Sequence, residues 1–455
     1  MKINWFSPLP PARTGIAHYA MQVLPVLVRQ HAVTAWTDQD QVASEVRRVA
    51  RVKHYDPESP PWREINEGAV SFYHLGNDPD FHAGLWRVRA QQPGIVVLHD
   101  LSLHHFFFML TVHQRKDYAG YLATMEHWYG DAGRQAGEAC CAGGISPDDM
   151  AQRYPLTREA TREALGAITH TESGRGDETP ACPLLSLKLP YAASDTARYR
   201  RQITSRQPGP PYRLVVLGYL SRNRRLGSLL EALATLAERK QFRLDICGKV
   251  WDESHFRAEI ERLELGSLVS LCGFLPERQI EHKLAAAHLA INLRFPSMGE
   301  ASASQLQFWN YGLPTLVTRT GWYATLPEDS TAFVRPEHEV EDIQAQLRAL
   351  LDRPEAFRAM GERGRQLLEN HNPEGYAEAL TQFASAAPGL ASRAAALALA
   401  GRVGGELTAW LHPATSSALI AQVSAEICRL WGDKSSGREQ LSGVVSVAGG
   451  GPELP

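Results

Sequence analysis

Apolar runs alternate with segments of helical periodicity along most of the chain. KINWF reads as a first buried strand, and GIAHYAMQVLPVLVRQ after it as a helix interrupted or kinked at Pro25, which lacks the amide hydrogen a helix interior needs. VSFYHLGND and GIVVLHD read as strands that end in polar residues. KDYAGYLATMEHWYGDAGRQAGEA is helical, and GAITHTES is another strand and turn. Strands that alternate with helices predict a parallel sheet covered on both faces.

The segment AASDTARYRRQITSRQPGPPY, residues 192–212, breaks this rhythm. It is polar and cationic and closes on Pro-Gly-Pro-Pro, which marks a domain boundary. A second alternation follows. RLVVLGYL, FRLDICGK, LVSLCGFL, HLAINLRF and PTLVT are strands, with LGSLLEALATLAERK, ESHFRAEIERLEL, ERQIEHKLAAA and SQLQFWNYG as helices between them. Residues 340–370 add two more helices. The expected layout is a first domain over 1–195, a linker over 196–212, a second domain over 213–375, a helical segment over 376–434 and a Gly/Ser-rich flexible tail over 435–455. The fold class is α/β: two doubly wound, Rossmann-like domains facing an interdomain cleft. In open parallel sheets ligands bind beyond the carboxyl ends of the strands, so the residues there are the candidates.

Composition narrows the function. The chain has 455 residues, 44% hydrophobic and 21% charged, as expected of a globular protein. A net charge of −3 gives no reason to expect nucleic acid as a partner. No run of 18 apolar residues occurs, so no spanning helix is expected, and the N-terminus reads as a strand rather than a signal peptide. None of the six cysteines stands in a C-x-x-C pair, so zinc is not indicated. Cys247 and Cys272 lie in apolar runs and read as buried thiols. A cytoplasmic location follows, with peripheral membrane contact left open.

In the second domain the strand ends carry Gly218, Gly248, Gly273 and the turn from Arg294 to Glu300. Glycine lets backbone approach a ligand closely. The spacing is neither G-x-G-x-x-G nor G-x-x-x-x-G-K-[ST], which argues against a nicotinamide dinucleotide site and a P-loop. Arg222, Arg224 and Arg225 follow the first glycine and Lys249 the second. Cations beside bare backbone suit an anion such as a diphosphate, although charge alone reads equally well as a solvated loop. Glu300 is the lone carboxylate of LRFPSMGEASASQLQFWNYGLP and suits sugar hydroxyls. ASASQL then opens a helix whose first N–H groups, at Ser304 and Gln305, suit phosphate. Together these residues fit a nucleotide-diphosphate sugar.

In the first domain Thr14-Gly15 makes another bare turn. His74, Gly76 and Asn77 end one strand, and His99 and Asp100 end the next. A lone histidine is usually structural, but a His-Asp pair at a strand end is a better catalytic candidate. His104 and His105 read as capping and packing residues, and Phe106, Phe107 and Phe108 as core.

With these residues in place the chain resembles the retaining glycosyltransferases of the GT-B fold, in the large family (family 4) that includes bacterial mannosyl- and glucosyltransferases of cell-surface glycans. The resemblance runs from residue 1 to about 390 through SPLPPARTGIAHY, YHLGND, VVLHD, VVLGYLSRNRRLGSLLEAL, LDICGK, LVSLCGFL and LRFPSMGEASASQLQFWNYGLPTLVT. It implies a UDP- or GDP-linked donor held by the second domain, and a glycan, lipid-linked or other hydroxyl acceptor held by the first. It implies no cofactor and no metal. Glu300 matches the first glutamate of the family's paired motif, which contacts the donor sugar. Gly15 matches the glycine turn near the diphosphate, His99 the histidine near the reaction centre, and Arg224 the phosphate-binding lysine. Gly273 and Phe274 fall where backbone contacts the base. Two positions depart from the pattern: Gln307 stands where the second glutamate contacts ribose, and Tyr219 where an arginine follows the glycine. The competing readings are a nucleotide-sugar epimerase of the same fold and a non-catalytic nucleotide-sugar-binding protein.

Overall fold

The computed structural model describes residues 1–67, 69–172, 179–180, 182–195, 197, 199 and 206–387, with the single positions 403, 419, 422, 423 and 426. It divides into two compact units, Met1–Leu187 with the chain from Glu374, and Lys188–Pro373. The tail expected over 435–455 lies outside the described residues. So do most of the expected helical segment beyond 387 and positions 196, 198 and 200–205 of the expected linker.

The first unit is built on a parallel sheet of seven strands: β1 (Lys2–Phe6), β2 (Ala32–Thr37), β3 (Arg51–His54), β4 (Ala69–Leu75), β5 (Ile95–Leu98), β6 (Gly166–Thr169) and β7 (Leu184–Ser186). Their order is β3-β2-β1-β4-β5-β6-β7. The helix Gly15–Leu27 starts on Thr14, whose hydroxyl accepts the Ile16 N–H at 3.0 Å. It runs through Pro25 instead of breaking there and ends two residues later, so the missing amide costs only the last turn a bond. The helix Pro373–Ser385 packs on this unit. Tyr376 hydrogen-bonds the hydroxyl of Tyr19 at 2.7 Å and Nε2 of His170 at 3.0 Å. A Cβ on Gly166 of β6 would meet the Phe383 ring at 2.7 Å. The described residues 374–387 therefore complete the first unit's core.

The second unit is a parallel sheet of six strands: β8 (Tyr212–Leu217), β9 (Phe242–Cys247), β10 (Val269–Gly273), β11 (Leu289–Asn292), β12 (Thr315–Thr318) and β13 (Ala332–Val334), in the order β10-β9-β8-β11-β12-β13. The core is aliphatic, with Leu214, Val216, Leu230, Leu244, Ile246, Leu289 and Ile291 buried. Each sheet reverses its winding beside its first strand, at β1/β4 and at β8/β11. Such a switch point leaves a crevice beyond the strands' carboxyl ends, because the connections on its two sides diverge.

Candidate functional site

Strands β8, β9 and β10 end at glycines with left-handed backbone: Gly218 at φ 122°, Gly248 at 131° and Gly273 at 63°. They are stacked edge to edge. The Gly218 N–H donates to Cys247 O at 3.0 Å and the Gly248 N–H to Gly273 O at 2.7 Å. A Cβ on Gly248 would lie 1.9 Å from Gly218 O, so no other residue permits this approach. One expectation is corrected here: the amides of Gly218 and Gly248 are spent on neighbouring carbonyls and do not face a ligand. The N–H groups one residue on, at Tyr219 and Lys249, meet no acceptor among the described residues.

Beyond β11 the chain turns through Arg294–Glu300 into the helix Ala303–Asn310. Glu300 is 6% exposed. Its carboxylate forms an ion pair with Arg294 and accepts from the Met298 N–H at 2.7 Å and the Ser297 hydroxyl at 3.2 Å. The sequence reading assigned Glu300 to sugar hydroxyls alone; the turn itself already uses much of the carboxylate. Ser302 caps the helix, its hydroxyl accepting the Gln305 N–H at 3.2 Å. The Gln305 amide is thus not available to phosphate as expected. Its side chain is fully buried, bonded to Asn292 at 3.1 Å and Thr315 at 2.7 Å. Ser304, at the second position of the helix, has no intrahelical acceptor for its N–H. Its hydroxyl would lie 3.7 Å from a Cβ placed on Gly218, which brings helix start and first glycine together. Gln307 is half-buried on the same helix, Phe274 is exposed and Gly273 half-buried.

The cations separate sharply. Arg224 is 4% exposed, and its Nη2 donates to Leu217 O at 3.3 Å and Asn292 Oδ1 at 2.9 Å. Burial, with the nearby Arg294 cation, pulls its pKa down to about 10, so it stays charged at neutral pH. Both two-bond edges of a guanidinium include Nη2, and here that nitrogen's two hydrogens are taken. In this conformation Arg224 cannot grip phosphate through two parallel bonds. Arg225 is also corrected: Nε donates to both oxygens of Glu339, at 2.9 and 2.8 Å, which neutralises its charge. Its backbone is left-handed, φ 54°, where it begins the helix Leu226–Thr235. Arg222 and Lys249 remain exposed.

In the first unit Gly15 is exposed and opens its helix, with nothing within 4 Å of a built Cβ. His99 does not stand out as a strand-end catalyst. Its Nε2 meets Nδ1 of His74 at 3.2 Å, and its ring lies 4.7 Å from Tyr19 and 5.0 Å from His170. Burial and the neighbouring imidazoles hold its pKa well below the ordinary histidine range. Asp100 accepts the Asn77 N–H at 3.1 Å and so braces the turn after β4. His104 bonds Tyr154 O and the Tyr121 hydroxyl, and His105 pairs with Asp148, the structural roles expected for both.

The structure thus gathers Gly218, Arg224, Glu300, Ser304 and Gln305 at the β8/β11 switch point, and places His99 and Asp100 at a strand end and Gly15 at a helix start of the first unit. Sequence reasoning missed Asn292, which ties β11 to Arg224 and to the capped helix. It also missed Trp251 and Phe295, which like Tyr219 and Phe274 are exposed just past a strand end. The signal available was their position, one to four residues after each strand. Among the described residues no group of three or more His, Cys, Asp or Glu side chains could hold a metal ion. No helix among them is long and apolar enough to cross a membrane.

Comparison with solved structures gives the fold. Anabaena Alr3699/HepE in complex with UDP aligns with a TM-score of 0.57 at 12% identity, over 85% of this chain and 100% of that one. The sucrose-phosphate synthase of Thermosynechococcus elongatus aligns at 0.58 and 14%, over 84% and 98%. WaaG, a glycosyltransferase involved in lipopolysaccharide biosynthesis, aligns at 0.53 and 15%, over 84% and 99%. No curated protein matches the sequence. Residues 200–367 match the family model described as glycosyl transferases group 1. The chain has the GT-B architecture of these structures, and that match covers almost all of its second unit.

Proposed function

We propose that this protein is a glycosyltransferase that moves a hexose from a UDP- or GDP-linked donor to a hydroxyl acceptor, with retention and without a metal, in the synthesis of a cell-surface glycan or glycoconjugate. The observation that carries the reading is the β8/β11 switch point. There one buried carboxylate, stacked glycine turns and the start of a helix converge within one unit. The match of residues 200–367 to group 1 glycosyl transferases supports it, as does the capture of UDP and UDP-glucose by HepE, a protein of the same fold.

In this reading Glu300 accepts from the donor sugar's hydroxyls, exchanging part of its present hydrogen bonding for them. The N–H groups of Ser304, Tyr219 and Lys249 meet the diphosphate. Gly273 and Phe274 lie beside the base, and Gln307 offers the ribose a neutral amide. The sugar's bond to the diphosphate oxygen breaks while a bond to the acceptor oxygen forms on the same face. The acceptor's proton passes to the departing diphosphate. Charge grows on that leaving group, and fixed N–H groups and cations stabilise it without reorganising. His99 and Asp100 act as braces of the first unit's strand ends, with Gly15 presenting bare backbone nearby in sequence to β1.

The test is release of free nucleoside diphosphate from UDP- and GDP-hexoses, with and without a lipid or glycan extract as acceptor source. Release that depends on the extract and survives EDTA is expected. Inversion of the sugar without any acceptor would instead identify an epimerase. Loss of release on adding EDTA would overturn the metal-free part of the reading.

A further inference from the structure

The segments that follow β8 and β9 run on together past their glycines. The Leu220 N–H donates to Lys249 O at 2.9 Å and the Trp251 N–H to Leu220 O at 3.1 Å, with Leu220 and Val250 bridged in parallel. This places the short helical turn Arg222–Arg224 beside Trp251. The guanidinium of Arg222 lies over the Trp251 ring, 4.4 Å from its centroid. Trp251 is 38% exposed and is held from below by the edge of Phe256, a buried ring 6.4 Å away.

A stacked guanidinium is fixed in plane while all its N–H groups remain on the perimeter, open to acceptors. Arg222 has no ion-pair partner among the described residues. The carboxylate of Asp252 feels the Arg222 charge but accepts from the His255 N–H at 3.0 Å and the Ser254 hydroxyl at 2.8 Å. The other two arginines of the turn are engaged, Arg224 with Leu217 O and Asn292, Arg225 with Glu339. Lys249, exposed on the adjoining segment, adds a second positive charge.

We infer that Arg222, stacked on Trp251, is the cation that grips the donor's phosphates, in place of Arg224 and Arg225. The inference rests on the nucleotide-sugar reading and names the side chain that binds phosphate. Trp251 is a positioning residue: it holds the guanidinium plane and touches no phosphate itself. Arg224 then serves chiefly to tie β8 to β11.

The experiment is calorimetric titration of the full chain with UDP, GDP and the two parent nucleosides. Arg222→Ala is expected to weaken diphosphate binding about thirtyfold or more while nucleoside binding changes less than threefold. Arg222→Lys keeps the charge but loses the planar fork, and should recover only part of the loss. Trp251→Leu should fall between wild type and Arg222→Ala for the diphosphate, again with little effect on the nucleoside. Arg222 is exposed, so its variants should fold, which unchanged circular dichroism and urea midpoint would check. Wild-type diphosphate affinity in Arg222→Ala would overturn the inference while leaving the nucleotide reading intact. If the wild-type chain bound neither diphosphate, the nucleotide reading itself would fail and the inference with it.

Discussion

Glu300→Ala is expected to abolish transfer and to weaken the second unit as well. The sequence shows a lone carboxylate in a turn after a strand. The structure shows one that is 6% exposed, paired with Arg294 and clamped by the Met298 N–H and Ser297 hydroxyl. Removing it leaves a largely buried guanidinium without its counter-charge, which costs about 3 kcal/mol. Glu300→Gln separates the two roles. An amide oxygen can still accept the Met298 N–H and hold the turn, but it offers no charge to the donor's hydroxyls. The Gln variant should therefore keep most of the urea midpoint while transfer falls by about two decades, the loss of roughly one strong charged contact. Turnover close to wild type in Glu300→Gln would make Glu300 a clamp of its own turn and remove it from the reacting site.

Lowering the pH below 6.5 is expected to unfold the first unit steeply. His82, His104 and His170 are held neutral by burial, with pKa pulled down to about 4, 4 and 3, and His74 and His99 are also held well below 6.5. The Tyr19 and Tyr376 hydroxyls beside His170 are buried too, and their pKa values are raised by burial, so both stay neutral. In the unfolded chain each imidazole takes up a proton near pH 6.5. In the folded chain it does not do so until the pH nears 4 or 3. The unfolded state therefore binds more protons throughout this window, so stability rises with pH and is fully present only above 6.5. Each pH unit below 6.5 costs about 1.4 kcal/mol per such ring, or about 4 kcal/mol for His82, His104 and His170 together. Thermal melts from pH 7.5 to 5 should show a transition that drops steadily below 6.5. A melting temperature flat between 7 and 5 would mean that these rings are accessible to protons in the folded protein. His82→Gln and His170→Gln should each flatten the pH slope, whatever they do to stability at neutral pH.

Much of the architecture is legible in the chain because interior parallel strands are apolar on both faces. RLVVLGYL and HLAINLRF announce β8 and β11, and with them the switch point. The strands that escape notice lie mostly at sheet edges: RVKH at β3, LLS at β7 and AFV at β13. With a neighbour on one side only, they are short and carry little apolar signal. AVTAWT, the interior strand β2, is hidden by its alanines and threonines.

The site is readable by position but not by partner. Gly218, Gly248, Glu300 and Ser304 stand where strand ends and a helix start require them. What the linear pattern cannot show is that Arg225 meets Glu339, 114 residues away, or that Arg224 folds inward onto Asn292, 68 residues away. Three arginines in four residues look alike until the chain closes. The return of Tyr376 onto Tyr19, 357 residues apart, is equally invisible in sequence, which sets the chain from 376 apart as a segment of its own.

Hydrogen–deuterium exchange of the full chain, with and without saturating UDP-hexose and GDP-hexose, tests the central claim most directly. Amide exchange depends on local opening, and a ligand seated on the strand ends suppresses that opening. The account predicts that one of the two donors slows exchange across residues 218–225, 248–252, 273–275 and 294–305, the four segments that meet at the β8/β11 switch point and its glycine edge. No slowing with either donor, or slowing confined to segments outside these four, would contradict it.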